Sequence, residues 1–377
     1  MHTEPGRCAL RAALRDDGDV PALRTELTEI VTGLGALGID DLDAVLDDRM
    51  PAALRNVDAD TWARVVTAHR DGTFRAEVLA AWNNGRALFR AVDGLRLRRP
   101  ELVEWKGGHR DPGDESVPAD LRIDHVYLVS CKYLSKVLHN ASPAAVFDRL
   151  LAGGPMRRSD DNWFDVVAAA EHQRLYQLVR RTYGDAFEFG DTAGSAIGSA
   201  TSRDGRSELP EQVTSLTGGQ RNVLRQQIPR DWTSDCAAAY QTLVDAVAER
   251  SAQRWRAALG DGSGRHRTML WRIVRLASAP YFVLGTGPSA SLRLRVATPW
   301  DWNQAFELRR FEVVSEPGGQ ARVGWRASVR DRSTAAEHEL VGHVEVRWSH
   351  GRFGGHPEAK VYLDTPHSLV PGYFPLN

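Results

Sequence analysis

Apolar residues recur every three or four positions through the first hundred residues, and this spacing predicts helices. An interval of three to four residues places apolar side chains on one face of a helix. The pattern is clear in Leu23, Leu27, Ile30, Val31 and Leu34. It returns between positions 78 and 92. We therefore expect residues 1–99 to form a helical N-terminal region.

The pattern changes after residue 100 and predicts an α/β core over residues 100–189. The clearest strand of the chain is apolar and β-branched, and Asp124 and His125 precede it as a turn. In order, we expect a short strand at 102–106, a Gly/Pro-rich loop at 107–116, and a hairpin with arms 117–123 and 126–133.

Helices are expected after this hairpin. One carries Leu134, Val137 and Leu138, and a second, amphipathic helix spans residues 162–183. Residues 190–206 are rich in Gly, Ser, Thr and Asp, which favours a linker. Further helical patterns at 236–258 and 268–276 make residues 190–277 a linker and helical region.

The last hundred residues change to the short alternating runs that are typical of strands. Turn signals separate these runs, notably Glu316-Pro317-Gly318-Gly319. Strands are expected at 281–284, 292–296, 306–314, 323–329, 339–348 and 359–363. The sequence therefore predicts a β-rich C-terminal domain over residues 278–377, sandwich- or barrel-like. The expected fold class is a mixture of α/β and β.

Composition and charge narrow the class of protein. The chain has 377 residues, 42% hydrophobic and 26% charged, which is typical of a globular protein with more than one core. It has no apolar run of about eighteen residues and no signal-peptide pattern, so we expect a cytoplasmic protein without a membrane span. Three distant cysteines, Cys8, Cys131 and Cys236, favour a reducing compartment. A net charge of −1 argues against a strongly basic coat protein but allows a local basic face.

Lysine is rare in this chain. Four of its 48 basic residues are lysine, namely Lys106, Lys132, Lys136 and Lys360. Where positive charge is otherwise arginine, a retained lysine indicates a place that a planar guanidinium does not fit. Lys132 ends the clearest strand, where a compact ammonium can contact a reacting oxygen.

Strand alternation puts Ser130 and Lys132 on one face, at the end of an apolar row. Asp124 lies about 20 Å from Ser130 along the same strand, too far to share a ligand. Asp120 lies on the other arm. If the turn centres near His125, Asp120 faces Ser130 with Cβ atoms about 5 Å apart. A two-residue turn shifts the register and points Asp120 away.

An aspartate, a strand-end lysine and a second acid suit the hydrolysis of a phosphodiester bond. Carboxylates hold Mg²⁺, which polarises the phosphate and activates a water. The lysine orients that water or neutralises the developing charge. Glu104, on the preceding strand, is the best second acid. In the alternative interpretation Lys132 caps a strand, Asp120 is a solvated edge residue and Glu104 lies on an exposed face.

The run Pro-Ala-Asp ending at Asp120, nine intervening residues and Ser130-Cys131-Lys132 resembles the PD-(D/E)xK motif of the restriction-endonuclease-like superfamily. Ser130 stands where the second acid usually stands, as in the Ser-x-Lys form of some restriction enzymes. The resemblance covers about residues 100–185. It implies a restriction-endonuclease-like core, with Asp120 as metal ligand, Lys132 as catalytic lysine and the Cys131 carbonyl as an additional metal contact.

Because Ser130 replaces the usual second acid, the site is active only if another residue supplies a carboxylate. Glu104, or a helix residue such as Glu77, is expected to do so. A rival match runs from Asp93 to Glu104-Trp105-Lys106 and contains the usual acid. It ranks second, because Asp93 is followed by Gly94 as at a helix end, and residues 96–100 make a poor first strand.

A second cluster lies near the C-terminus. In one interpretation this cluster binds nucleic acid. Arg347 and Arg352 contact phosphates or guanine edges, and Trp348 stacks on a base. His350, which lies between Trp348 and Arg352 in the sequence, belongs to the same binding surface. In another, His343, Glu345 and His350 hold a metal ion. In a third, the segment is a hairpin whose alternate residues face water, with Trp348 in the core.

Together these features, with the resemblance, predict a Mg²⁺-dependent DNA endonuclease of a restriction or phage-defence system that acts as a homodimer. One alternative is a non-catalytic nucleic-acid-binding protein with a degenerate nuclease fold, which the missing acid favours. Another is a metal-dependent β-barrel enzyme at the C-terminus.

Overall fold

The computed structural model describes residues 19–107, 119–133, 135–149, 161–184, 187, 209–287, 291–348 and 351–377. The first part is helical, as predicted. Its helices are α1 (Asp19–Ala36), α2 (Leu42–Asp47), α3 (Ala59–Arg70) and α4 (Arg75–Arg90). The Asp41 and Asp58 side chains cap α2 and α3 by accepting from Ala44 N and Thr61 N. Such caps satisfy backbone donors that a helix start leaves open.

Helices α1 and α4 cross with their backbones in contact. A Cβ added at Gly35 would lie 2.5 Å from Trp82 O, and one at Gly85 would lie 2.1 Å from Thr32 O. Only glycine permits this approach, since real Cβ atoms do not come so close. The contact fixes the crossing of α1 and α4.

The larger sheet contains seven strands in the order β1-β2-β3-β4-β6-β7-β12. Strands β2, β3 and β4 form an antiparallel meander, and β6 lies parallel to β4. The strands are β1 (Leu54–Arg55), β2 (Val103–Trp105), β3 (Leu121–Ile123), β4 (Tyr127–Tyr133), β6 (Tyr281–Thr286), β7 (Ser291–Val296) and β12 (Tyr373–Pro375).

Between β4 and β6 the chain passes through a strand and several helices. They are β5 (Val137–Ala141), a π-helix (Ala145–Arg149), α5 (Trp163–Tyr183), a 3-10 turn (Val213–Ser215), α6 (Gly218–Gln227), α7 (Ser234–Leu259) and α8 (Ser263–Ile273). The expected helices over residues 162–183 and 236–258 are confirmed. The linker predicted at 190–206 lies outside the described residues.

The helix expected to carry Val137 and Leu138 is wrong. These residues form β5, which pairs antiparallel with β11 (Glu358–Leu363). In this pairing Val361 lies opposite His139 and Lys360 lies opposite Asn140. Leu138 and His139 are buried in this strand. Pairing with a distant strand therefore outweighs the local helical spacing.

The smaller sheet contains five antiparallel strands in the order β5-β11-β10-β9-β8. A short helix, α9 (Pro299–Ala305), leads into it, and a 3-10 turn (His367–Leu369) follows it. Its other strands are β8 (Phe306–Glu316), β9 (Ala321–Asp331), β10 (Glu337–Arg347) and β11 (Glu358–Leu363). Every C-terminal strand that the sequence predicts is confirmed.

The predicted boundary at residue 278 does not separate the two sheets. β6, β7 and β12 belong to the larger sheet, and β5 joins the smaller one. One core lies between α1–α4 and one face of the larger sheet, and a second lies between its other face, the later helices and the smaller sheet. The fold class is mixed α/β, as predicted. No helix in the described ranges is long and apolar enough to cross a membrane.

Candidate functional site

The hairpin of β3 and β4 has the register that brings Asp120 opposite Ser130. Ile123 pairs with Tyr127 and Leu121 pairs with Val129, so the turn centres at residue 125. The predicted register is thereby confirmed. The turn is tight because Asp124 and His125 both adopt left-handed backbone angles, with φ of 48° and 58°.

The Asp120 carboxylate binds the strand that faces it. Its Oδ2 accepts a hydrogen bond from Cys131 N at 2.6 Å and from Ser130 Oγ at 3.2 Å. In an extended strand the N–H and C=O of one residue point to the same side. The Cys131 carbonyl therefore points to the side of β4 on which Asp120 lies, beyond the end of β3.

Lys132 lies two residues beyond Ser130, on the same face of β4. Its Nζ donates to Val137 O, the first residue of β5, at 2.9 Å. Burial and the positive charge of Arg275 together lower the pKa of Lys132 to about 8, although the charges of Asp120 and Glu29 act in the opposite direction. At neutral pH the side chain is a cation with an easily removed proton.

Glu29 on α1 is an acid of this site that the sequence reasoning missed. Its side chain is 9% exposed, and its Oε2 accepts from Trp105 Nε1 at 2.7 Å. Burial and the negative charge of Asp120 together raise the pKa of Glu29 to about 8. In the sequence, Glu29 is the one charged residue between positions 27 and 36 of α1, and this was the available signal.

Arg275 is a second residue that the sequence reasoning missed. It follows α8, is 5% exposed and has a left-handed φ of 57°. Its Nη1 donates to Ser130 Oγ at 3.0 Å and to Tyr281 Oη at 2.8 Å. Ser130 thus links Arg275 to Asp120. In the sequence, the feature that points to Arg275 is its position as a charged residue inside the apolar run that precedes β6.

Glu104, the predicted second acid and metal ligand, is held elsewhere. Its two carboxylate oxygens accept from Arg122 at 2.6 and 3.0 Å, and His125 Nδ1 lies 3.3 Å from Oε2. This paired guanidinium lowers the pKa of Glu104. The register explains the outcome, because Glu104 pairs directly with Arg122. Glu29, rather than Glu104, is the acid that interacts electrostatically with both Asp120 and Lys132.

The rival match does not converge on one site. Asp93 pairs with Arg295 of β7 at 3.4 Å and accepts from Asn377 N at 3.0 Å. Glu104 lies on β2, four strand spacings from β7 in the larger sheet. At about 4.8 Å per spacing these elements are about 19 Å apart.

The aromatic and basic side chains of the C-terminal cluster make contacts within the protein, and their expected contacts with nucleic acid stay a prediction. Trp348 packs edge-on against Phe164 at 4.8 Å and against Phe353 at 4.9 Å. The Arg352 guanidinium lies 4.0 Å from the Trp232 ring and donates to Pro229 O. Arg347 lies 3.6 Å from Glu345 in an ion pair. His350 lies outside the described residues.

The alternative metal site on β10 is also engaged within the protein. His343 Nδ1 lies 2.7 Å from Asp364 Oδ2, and its Nε2 lies 3.7 Å from Glu345 Oε1. The third expected ligand, His350, is outside the described ranges. Within those ranges, no group of three or more His, Cys, Asp or Glu side chains is placed to hold a metal ion.

The site around β4 thus contains two acids, Asp120 and Glu29, two cations, Lys132 and Arg275, and the hydroxyl of Ser130. No family model, curated protein or solved structure matches this chain.

Proposed function

We propose that the protein is a Mg²⁺-dependent phosphodiesterase that cleaves DNA as an endonuclease. The observation that carries the proposal is the register of the hairpin, which sets Asp120 against the Ser130-Cys131-Lys132 segment. This pairing of β3 and β4 puts an acid and a lysine near the same end of the two strands. The resemblance to the PD-(D/E)xK motif rests on the same residues.

The chemistry of the oxygen donors fits a magnesium ion. Asp120 and Glu29 would supply carboxylates to the ion, and the Cys131 carbonyl would supply a third oxygen. Mg²⁺ prefers such hard ligands and retains several waters. The raised pKa of Glu29 supports the assignment, since its causes are burial and the negative charge of Asp120. A divalent cation held by these residues would supply Lewis-acid activation of the phosphate and of the attacking water.

The residues of the chain hold and move protons around that centre. Asp120 is kept in one orientation by the Cys131 amide and the Ser130 hydroxyl. Lys132 positions the attacking water and neutralises charge on the phosphate oxygens. Arg275 holds Ser130 in place and adds positive charge beside Lys132. The compensation for the missing second acid is thus assigned to Glu29.

We place this activity in a restriction or phage-defence system of the cytoplasm, with a homodimer cutting both strands. These assignments come from the resemblance to restriction enzymes. They are tested by the products of cleavage, because a dimer that acts on both strands yields linear DNA directly from a supercoiled plasmid.

The test is cleavage of plasmid DNA with Mg²⁺ or Mn²⁺. Wild-type protein is expected to cleave, and Lys132→Ala is expected to lose cleavage by about 10²-fold or more. Lys360→Ala is the matched control, since Lys360 lies on β11 in the smaller sheet. Equal cleavage by wild type and Lys132→Ala would exclude the proposed site.

A second candidate function is nucleic-acid binding without cleavage. The hydroxyl of Ser130 favours it, because the position of an acidic ligand is filled by a neutral group that already bonds Asp120 and Arg275. This function predicts DNA binding that is independent of divalent metal, together with no cleavage by the wild-type protein.

A further inference from the structure

Side-chain hydrogen bonds lead from Asp120 into the core of the protein. Asp120 Oδ2 accepts from Ser130 Oγ at 3.2 Å, and Ser130 Oγ accepts from Arg275 Nη1 at 3.0 Å. The same Nη1 donates to Tyr281 Oη at 2.8 Å. Ser130, Arg275 and Tyr281 are 1%, 5% and 0% exposed. These four side chains form a hydrogen-bond chain that connects the candidate site to the first residue of β6.

The chemistry of the groups fixes the direction of each bond. A guanidinium has donors only, so Ser130 Oγ is the acceptor of its bond with Arg275. A serine hydroxyl has a single hydrogen, which it donates to Asp120 in this arrangement. The two hydrogens of Nη1 serve its two bonds, one to Ser130 and one to Tyr281. Tyr281 therefore helps to orient the group that orients Ser130.

The turn that carries Arg275 is held in a strained conformation. Arg275 has a left-handed φ of 57°, which residues other than glycine rarely adopt. Buried side chains fix the carbonyls just before it. His139 Nε2 donates to Ile273 O at 3.1 Å, and Tyr373 Oη donates to Val274 O at 2.7 Å. Such strain persists where the surrounding structure over-determines it, and it is typical of functional positions.

The hydrogen-bond chain and the Cys131 amide bind the same oxygen of Asp120. Both Ser130 Oγ and Cys131 N donate to Oδ2. Within the described part of the protein, Oδ1 of Asp120 accepts no side-chain or amide hydrogen bond. Two bonds to one oxygen limit the rotation of the carboxylate, and they leave the other oxygen for a ligand.

We propose that Tyr281 and Arg275 are positioning residues, which act through Ser130 to keep Oδ1 of Asp120 available to a divalent cation. This role explains a serine at the position of the usual second acid. An ionised carboxylate there could accept from Arg275 but could not donate to Asp120. The identity of the ligand rests on the proposed function, whereas the hydrogen-bond chain is a property of the protein alone.

The first measurement uses the full-length protein without metal. Hydrogen exchange of the Cys131 amide, followed by NMR, reports its bond to Asp120 Oδ2. We expect exchange to be about tenfold faster in Tyr281→Phe, which loses one hydroxyl and keeps the buried ring. Tyr176→Phe is the matched control, because Tyr176 is also 0% exposed and its hydroxyl donates to Pro210 O at 2.7 Å. Equal exchange in wild type and Tyr281→Phe, or an equal increase in both variants, would overturn the positioning role.

The second measurement is a double-mutant cycle. Mn²⁺ affinity, by calorimetry, and plasmid cleavage are compared in wild type, Tyr281→Phe, Ser130→Ala and the double variant. We expect each single variant to bind Mn²⁺ about tenfold more weakly, and the double variant to resemble Ser130→Ala, because the hydrogen-bond chain is already broken at Ser130. Effects that add in the double variant would contradict the proposal.

The two measurements separate this inference from the proposed function. If wild-type protein binds no Mn²⁺ and cleaves no DNA while the Cys131 exchange effect is present, the proposed function is excluded and the hydrogen-bond chain is supported. If cleavage depends on Lys132 while Cys131 exchange is unchanged in Tyr281→Phe, the proposed function is supported and the role of Tyr281 and Arg275 is excluded.

Discussion

Trp105 donates its indole N–H to the carboxyl group of Glu29, and this bond joins the first helix to the second strand of the larger sheet. Since Glu29 is buried next to Asp120, the bond holds an acid in a place where its charge is unfavourable. A buried acid in that position lowers the free energy of unfolding when it is ionised, which favours a functional reason for its presence. This relationship leads to the first prediction.

Glu29→Gln is expected to abolish metal-dependent cleavage without destabilising the fold. The pKa of Glu29 is about 8 in the folded state and 4.5 as its ordinary value, so folding takes up a proton between these pH values. The free energy of unfolding therefore falls as pH rises from 4.5 to 8, by roughly 1.4 kcal/mol per pH unit. Urea denaturation without divalent metal should show this slope in wild type and its loss in Glu29→Gln.

Glu26→Gln is the control on the same helix, because Glu26 is paired with Arg64 at the surface. It should leave cleavage and the pH slope unchanged. A large destabilisation of Glu29→Gln at pH 8 would show that Glu29 is structural.

Lys132→Arg is expected to lose cleavage by about 10²-fold or more, although the charge is kept. The guanidinium is wider than the ammonium and cannot keep the bond to Val137 O in the same space.

Cys131→Ala should retain cleavage, because the backbone of Cys131, and not its thiol, binds Asp120. Plasmid cleavage rates of both variants, with circular dichroism to verify folding, check this pair; comparable activity of Lys132→Arg and wild type would contradict it.

Gly85→Ala is expected to destabilise the protein by about 1–3 kcal/mol or more. The added methyl group would lie 2.1 Å from Thr32 O, so α1 and α4 must separate. Gly219→Ala in α6 is the matched control, since a Cβ there meets nothing within 4 Å, and alanine should stabilise by about 0.4–1 kcal/mol. Thermal denaturation of both variants provides the measurement, and similar melting temperatures would refute the packing argument.

His139 is expected to make the fold sensitive to acid. Its Nε2 donates to the carbonyls of Arg272 and Ile273, and burial, with the charge of Arg275, lowers its pKa from 6.5 to about 3. The unfolded chain takes up a proton below pH 6.5 that the folded chain does not, so stability falls from pH 6.5 towards pH 3.

In His139→Gln this component of the acid slope, roughly 1.4 kcal/mol per pH unit, should disappear even if the variant is less stable at pH 7. Denaturation at pH 7, 6, 5 and 4 measures the slope. His338→Gln should retain the wild-type slope, and an unaltered slope in His139→Gln would rule out the explanation.

The sequence predicted what local patterns determine. Helical spacing placed α1, α4, α5 and α7, and alternation placed β8 to β11. The sequence left two registers open for Asp120 against Ser130, because only the short turn at Asp124 and His125 determines the register, and the structure has the one centred at His125. In each case the deciding interactions lie close together along the chain.

The remaining parts depend on contacts between distant segments. β5 has helical spacing around Leu138, yet its pairing with β11 makes it a strand. Glu29 meets Trp105 across 76 positions, and Arg275 meets Ser130 across 145 positions. No local pattern reveals such meetings, and for the same reason Glu104 was assigned a role that Arg122 prevents.

The passage from β4 to β5 joins the two sheets at the position of the lysine. Lys132 is the second-last residue of β4 in the larger sheet. Its ammonium donates to the carbonyl of Val137, the first residue of β5 in the smaller sheet. The position of this ammonium therefore depends on how β5 leaves the larger sheet, so a substitution that displaces Val137 would also displace Lys132.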